Sequence, residues 1–220
     1  MVPSLESFTP KERRVIRAHR TPLQVQRYFN ALPYNDEAGR GTLRSFRGVV
    51  ASGRAHCLEA ALSAAVILEQ HGYPVQLLDL ESWDSLDHVL FLYRKQGRWG
   101  TVARSRDPGL HGRKPVFKTL RELVDSYFEP YVDLTGRIIG YGVTDLKKLG
   151  RYDWRLSKRN VWKVEQHLRD MPHRRFHGAD RRYRSWHERY QAYKRRFPDR
   201  KPLYYDNRRT WAVGYPKGTP

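Results

Sequence analysis

The chain has 220 residues, 42 Lys and Arg against 23 Asp and Glu, a net charge of +19, and 39% hydrophobic residues. That suits one domain of ordinary size plus an appendage and excludes a chain disordered throughout. A single cysteine excludes an intrachain disulfide framework, a four-cysteine zinc site and CxxC redox chemistry. No run approaches the roughly 20 apolar residues of a membrane span, and the N-terminus lacks a signal peptide's apolar stretch, so the expectation is a soluble, cytoplasmic protein.

In chain order, Thr9-Pro10-Lys11-Glu12 combines an N-cap, a proline at the first helical position and a capping-box glutamate. It predicts a short basic helix within a lead-in over 1–20. Thr21-Pro22-Leu23-Gln24 repeats the signal and opens a helix carrying Leu23, Val25, Tyr28, Phe29 and Leu32, broken at Pro33, Gly39 and Gly41. Residues 57–71 form a run of strong helix formers stopped by Gly72 and Pro74. Cys57, Ala61, Ala64, Ala65 and Leu68 share one face of it, small enough to lie close on a sheet. Strands are predicted at 74–80, 88–94 and 100–105, the last two joined by a hairpin turn at residues 95–98. Thr119 and Glu122 box the start of a core-covering helix over 119–131. Past about residue 145, helical pieces near 157–170 and 179–197 mix Trp162, Tyr183, Trp186, Tyr190 and Tyr193 with Arg and Lys, and a Pro- and Tyr-rich end follows. The fold class read from this order is α+β: a lead-in over 1–20, a core over 21–145 and a basic, aromatic-rich helical extension over 146–220.

Charge follows the same division. Residues 151–220 hold 20 Lys and Arg against 7 Asp and Glu. Such a segment is either a solvated face of a docked helix or a surface for nucleic acid or another anionic partner. The stripe of Tyr183, Trp186, Tyr190 and Tyr193 favours docking on the core.

Cys57 stands at the first position of its predicted helix, where the macrodipole and unpaired N–H groups favour thiolate. His88 begins a strongly apolar strand, where an imidazole is costly to bury without a polar task. A cysteine at a helix start and a histidine on a neighbouring strand are the parts of a thiolate–imidazolium pair. His56 and His71 flank the helix, and His56 is expected to point away from the thiol. His167, His173 and His177 read as surface residues, with Pro172 and Gly178 breaking any helix that would aim them together, so no metal set is expected. The P-loop, GxGxxG and GxSxG patterns are absent.

Across residues 21–117 the order of motifs resembles the transglutaminase-like superfamily of papain-like cysteine enzymes. The matching pieces are Gly53-Arg-Ala-His-Cys57 with its helix, Gly72-Tyr-Pro-Val-Gln-Leu-Leu, Asp87-His88-Val-Leu-Phe, and Gly97-Arg-Trp99. The resemblance implies a papain/transglutaminase-like core whose Cys57 attacks an amide or acyl carbonyl of a protein or peptide, with His88 as base and then acid. It implies no cofactor, and no acidic cluster for calcium is visible. It also expects an acidic residue at the end of the third strand, where this chain has Ala103, Arg104 and Ser105. A two-residue turn at Gln96-Gly97 places His88 opposite Ser105, which, or else Asp107, is the candidate third member. The Cys57 N–H is one expected oxyanion donor, with the second unnamed. Trp83 and Trp99 are candidates for an acyl-donor groove or for core packing. The competing reading is a catalytically weak or inactive scaffold of the same fold that binds nucleic acid or another polyanion through residues 151–220.

Overall fold

The computed structural model describes residues 2–37, 41–177, 180–202 and 208–213. Both threonine-proline signals start helices. Thr9 and Glu12 close a capping box on α1 (Pro10–Ala18), and Thr21 and Gln24 close one on α2 (Pro22–Ala31). Of the break predicted after α2, Gly39 lies outside the described residues, as do Gly178 and most of the Pro- and Tyr-rich end. The chain continues through α3 (Phe46–Ser52) into α4 (Cys57–Glu69). Then come β1 (Gln76–Ser82), β2 (His88–Lys95) and β3 (Arg98–Val102), α5 (Leu120–Tyr131), β4 (Ile138–Asp145), α6 (Trp162–Asp170), β5 (Arg174–Arg175), α7 (Asp180–Arg196) and α8 (Arg208–Trp211).

The architecture is mixed α+β, with one five-stranded antiparallel sheet in the order β3-β2-β1-β4-β5. Alternation along the strands sends neighbouring side chains to opposite faces. Leu77, Val89, Phe91 and Val102 join a cluster built on α4, whereas Leu78, Leu80, Leu90 and Leu92 pack with Leu123, Val124, Tyr127 and Phe128 of α5. Both faces are therefore covered, and β1 and β2 read as near-continuous apolar runs for that reason. Helix α4 differs from the one-faced helix that the sequence predicts: Leu58 to Glu69 are all buried, because α1, α2 and α3 cover the side turned away from the sheet.

Two further differences have local causes. The hairpin turns at Gln96 and Gly97, both at positive φ (48° and 73°), as a two-residue primed turn requires. Its register matches the sequence prediction from Lys95↔Arg98 to Phe91↔Val102, but β3 stops there, short of the predicted 105. Beyond it the buried Gln26 side chain takes both backbone groups of Ala103, accepting from the N–H (2.9 Å) and donating to the carbonyl (2.8 Å). Strand β4 is absent from the sequence reading because Gly140 and Gly142 lower its strand propensity. A Cβ at Gly142 would lie 2.6 Å from the Met171 side chain and 3.1 Å from the Pro172 carbonyl, so this approach to the neighbouring segment needs glycine.

Trp154, Val161, Val164 and Leu168 belong to the same core cluster as α4. Helix α7 has no fully buried residue; Tyr183 and Trp186 rest half-buried on the α5 cluster, with Arg137 4.7 Å from the Tyr183 ring. No helix among the described residues is long and apolar enough to cross a membrane.

Candidate functional site

Cys57 occupies the first turn of α4, with His56 as the N-cap residue. The turn is fixed by Glu59, which is fully buried and accepts from the His56 N–H (3.1 Å), the Asn35 amide (3.1 Å) and the Arg44 N–H (2.9 Å). A parallel bridge between Tyr34 and Ala55 holds the segment after α2 against this start. Cys57 as a residue is partly exposed, while its thiol is desolvated. Burial alone would raise its pKa, but the hydrogen bonds and charges of His56 and His88 outweigh that and bring it down to about 5.

Contrary to the sequence expectation, His56 does not point away. Its Nε2 donates to the Thr42 carbonyl (2.9 Å) and lies 3.6 Å from Glu59. Burial works against its charged form, yet its interactions with the Cys57 thiolate and Glu59 push it up to about 9. The sequence signal was its place just before a helix start, where an N-cap side chain lies beside the first turn.

His88 opens β2 in register with Leu80, which turns its ring toward α5, 6.4 Å from the Tyr127 ring. Its Nε2 lies 2.8 Å from the Leu110 carbonyl oxygen. A carbonyl can only accept, so Nε2 carries the proton and Nδ1 is the nitrogen left for the thiol. The group on the far side of His88 is thus a backbone carbonyl rather than Ser105 or Asp107. Ser105 Oγ instead accepts from the Asp107 N–H (3.1 Å), and the Asp107 carboxylate pairs with Lys201 (2.7 Å). The cause is the early end of β3, which removes Ser105 from the pairing that would have set it opposite His88. Leu110 sits in a 3₁₀ turn, Pro108–Leu110, clamped by Arg113. That buried guanidinium donates 2.7 Å bonds to the carbonyls of Gly109 and His111, on either side of Leu110, and stacks 3.8 Å from the centre of the Tyr127 ring.

Tyr34 is a neighbour of the thiol that the sequence reading missed. The Cys57 N–H hydrogen-bonds its hydroxyl oxygen, and burial together with the thiolate charge raises its phenol pKa. Trp83 and Trp99 do not reach the site. Trp83 is 64% exposed under Arg137 (4.8 Å), and Trp99 pairs with Arg94 across the hairpin and packs on the α5 cluster. The aromatic residues on the cavity wall are Tyr34, Tyr131, Trp162 and Tyr190. The cavity, about 780 Å³, also holds Cys57, His56, His88, Ser105 and Asp107 on its walls. His167 and His173, expected as surface residues, are partnered: His167 with the Thr144 hydroxyl (2.8 Å), His173 with the buried Asp79 carboxylate (3.0 Å).

A mixed α+β protein with a depressed thiol between two imidazoles is what fold and site define. No protein-family model and no curated protein matches the chain. Among solved structures, Legionella pneumophila LapG matches at 13% identity and a TM-score of 0.38, over 68% of this chain and 90% of that one. Its EGTA-treated form gives 12% and 0.38 over the same shares, and its calcium-bound form 12% and 0.35 over 74% and 94%. Overlap at this level describes a partial likeness and transfers no residue role.

Proposed function

We propose that the chain is a thiol-dependent enzyme of transglutaminase-like, papain-like type that acts on an amide or acyl bond of a protein or peptide. The observation that carries this reading is the position of Cys57 at the start of α4 between His56 and His88 on the wall of a cavity, an arrangement that lowers the thiol pKa. The Cys57 proton passes to Nδ1 of His88, leaving a thiolate. The thiolate attacks the carbonyl carbon, and the electron pair of the C=O moves onto oxygen. The Cys57 N–H exchanges the Tyr34 hydroxyl oxygen for that oxyanion, and the Tyr34 hydroxyl is the second donor. His88 returns the proton from Nδ1 to the departing amine as the tetrahedral intermediate collapses to a thioester. Water, or a second amine, deprotonated by the same nitrogen, then releases the acyl group and restores the thiol.

The test uses the chain's single cysteine. Iodoacetamide should modify Cys57 with a rate midpoint near pH 5, and Cys57→Ala should abolish cleavage or amine transfer across a peptide-amide library. Alkylation with an unperturbed thiol midpoint of about 8.5, or library turnover that survives in Cys57→Ala, would overturn the reading. The polyanion-binding alternative draws support from α7, whose Arg-rich surface leaves no residue buried.

A further inference from the structure

The cavity over Cys57 has a charge opposite to that of the molecule. In a chain of net +19, its wall carries eight carboxylates against three Lys and Arg. Two of the carboxylates are neutralised, Asp107 by Lys201 (2.7 Å) and Glu165 by Arg169 (2.9 Å). The third cation, Arg106, lies 5.9 Å from the centre of the Tyr34 ring, and the imidazoles of His56 and His88 stand beside the thiol.

Among the described residues, the carboxylates on the β1–β2 connection have no such partners. Asp84 accepts from the hydroxyls of Ser82 (2.6 Å) and Thr135 (2.9 Å) and the Leu86 N–H (3.2 Å). Asp87 accepts from the Ser82 N–H (2.8 Å), and Asp133, facing them, from the N–H groups of Thr135 and Gly136. All of these donors are neutral, so the negative charges persist in a concave, partly apolar wall where field lines concentrate. A separate observation points to a missing donor. Asp79 of β1 is 3% exposed and lines the same cavity; one carboxylate oxygen meets His173, while Oδ1 has no hydrogen-bond partner among the described residues. A buried acceptor left this way keeps its desolvation cost uncompensated, and a ligand N–H recovers it.

We propose that the cavity receives a lysine or arginine side chain of the substrate, seated against Asp79, Asp84 and Asp87 beside the carbonyl that Cys57 attacks. This rests on the reading of Cys57 as nucleophile. An ammonium or guanidinium supplies the N–H that Asp79 Oδ1 lacks and the positive charge that Asp84 and Asp87 lack. The basic exterior works in the opposite direction, repelling cations at long range, so the preference belongs to the cavity and not to the molecule's net field.

Because Cys57 is the only thiol, its own reactivity can read that local field. Three methanethiosulfonates would be compared at neutral pH and low salt: neutral methyl, cationic trimethylammonioethyl and anionic sulfonatoethyl, each rate divided by that of 2-mercaptoethanol. The expected cation-to-anion ratio is about tenfold or more above the small thiol's. It should shrink in about 0.5 M salt and in the Asp84→Asn/Asp87→Asn double variant. A wild-type ratio at or below that of the small thiol, the result a net +19 would impose, overturns the proposal with no variant needed. The neutral reagent separates the two readings: fast, low-pH reaction without cation preference sinks only the charge proposal, whereas an ordinary thiol pH profile sinks the nucleophile itself. Peptides turned over from the library should carry Lys or Arg at one fixed position, and enrichment of Asp or Glu there would count against it.

Discussion

Cys57 and His56 are adjacent in sequence, and their pKa values move in opposite directions, the thiol to about 5 and the imidazole to about 9. Between those values thiolate and imidazolium coexist. The thiol's folded value lies below the ordinary thiol value, so its contribution to stability is lost as pH falls through about 5. The His56 value lies above its ordinary 6.5, so its contribution is complete below that and lost as pH rises through about 9. Replacing the cation, as in His56→Gln, should raise the midpoint of Cys57 alkylation by about 1–2 pH units. A midpoint that stays near 5 in the folded variant would remove His56 from the site. Cys57 and His88 were legible as candidates from residue type and local position alone. Tyr34 was not, because its contact depends on how the segment before α4 is pinned to it, and the N-cap position of His56 was a signal that the sequence reading turned the wrong way.

At the scale of elements, the orientation of His88 is set by a turn and not by a side chain. Arg113 spans the carbonyls of Gly109 and His111, and the Leu110 carbonyl between them accepts a hydrogen bond from His88 Nε2–H. Arg113 is a positioning residue in this arrangement. A lysine keeps the charge but lacks the planar fork that reaches two carbonyls at once. Arg113→Lys should therefore loosen the turn and move the Cys57 midpoint upward at temperatures where the variant keeps native far-UV circular dichroism; an unmoved midpoint in that folded variant would make the arginine merely structural. The sequence placed β2, the hairpin turn and its register, because apolar runs and a Gln-Gly pair are local signals. It missed where β3 ends, because that depends on Gln26, 77 residues away, capturing Ala103. Strand β4 was missed because glycine is selected there for close approach and not for strand propensity.

For the whole molecule, the +19 charge divides into an acidic cavity and a basic exterior to which α7 contributes. If α7 serves an anionic partner, single-stranded nucleic acid should bind at low salt and lose at least about tenfold in affinity between roughly 50 and 200 mM. Cys57→Ala should bind equally well, and no binding at low salt would remove that role. What the sequence by itself determined was the set of local features: capped helix starts, apolar strands, the hairpin turn, and a cysteine at a helix N-terminus followed by a histidine opening a strand. Each follows from forces acting within a few residues. Only the tertiary structure decided which groups surround the thiol, that a backbone carbonyl faces His88, and that carboxylates from separate segments converge in a basic protein. Those outcomes depend on burial and electrostatic fields between residues far apart in the chain, and no short-range pattern encodes them.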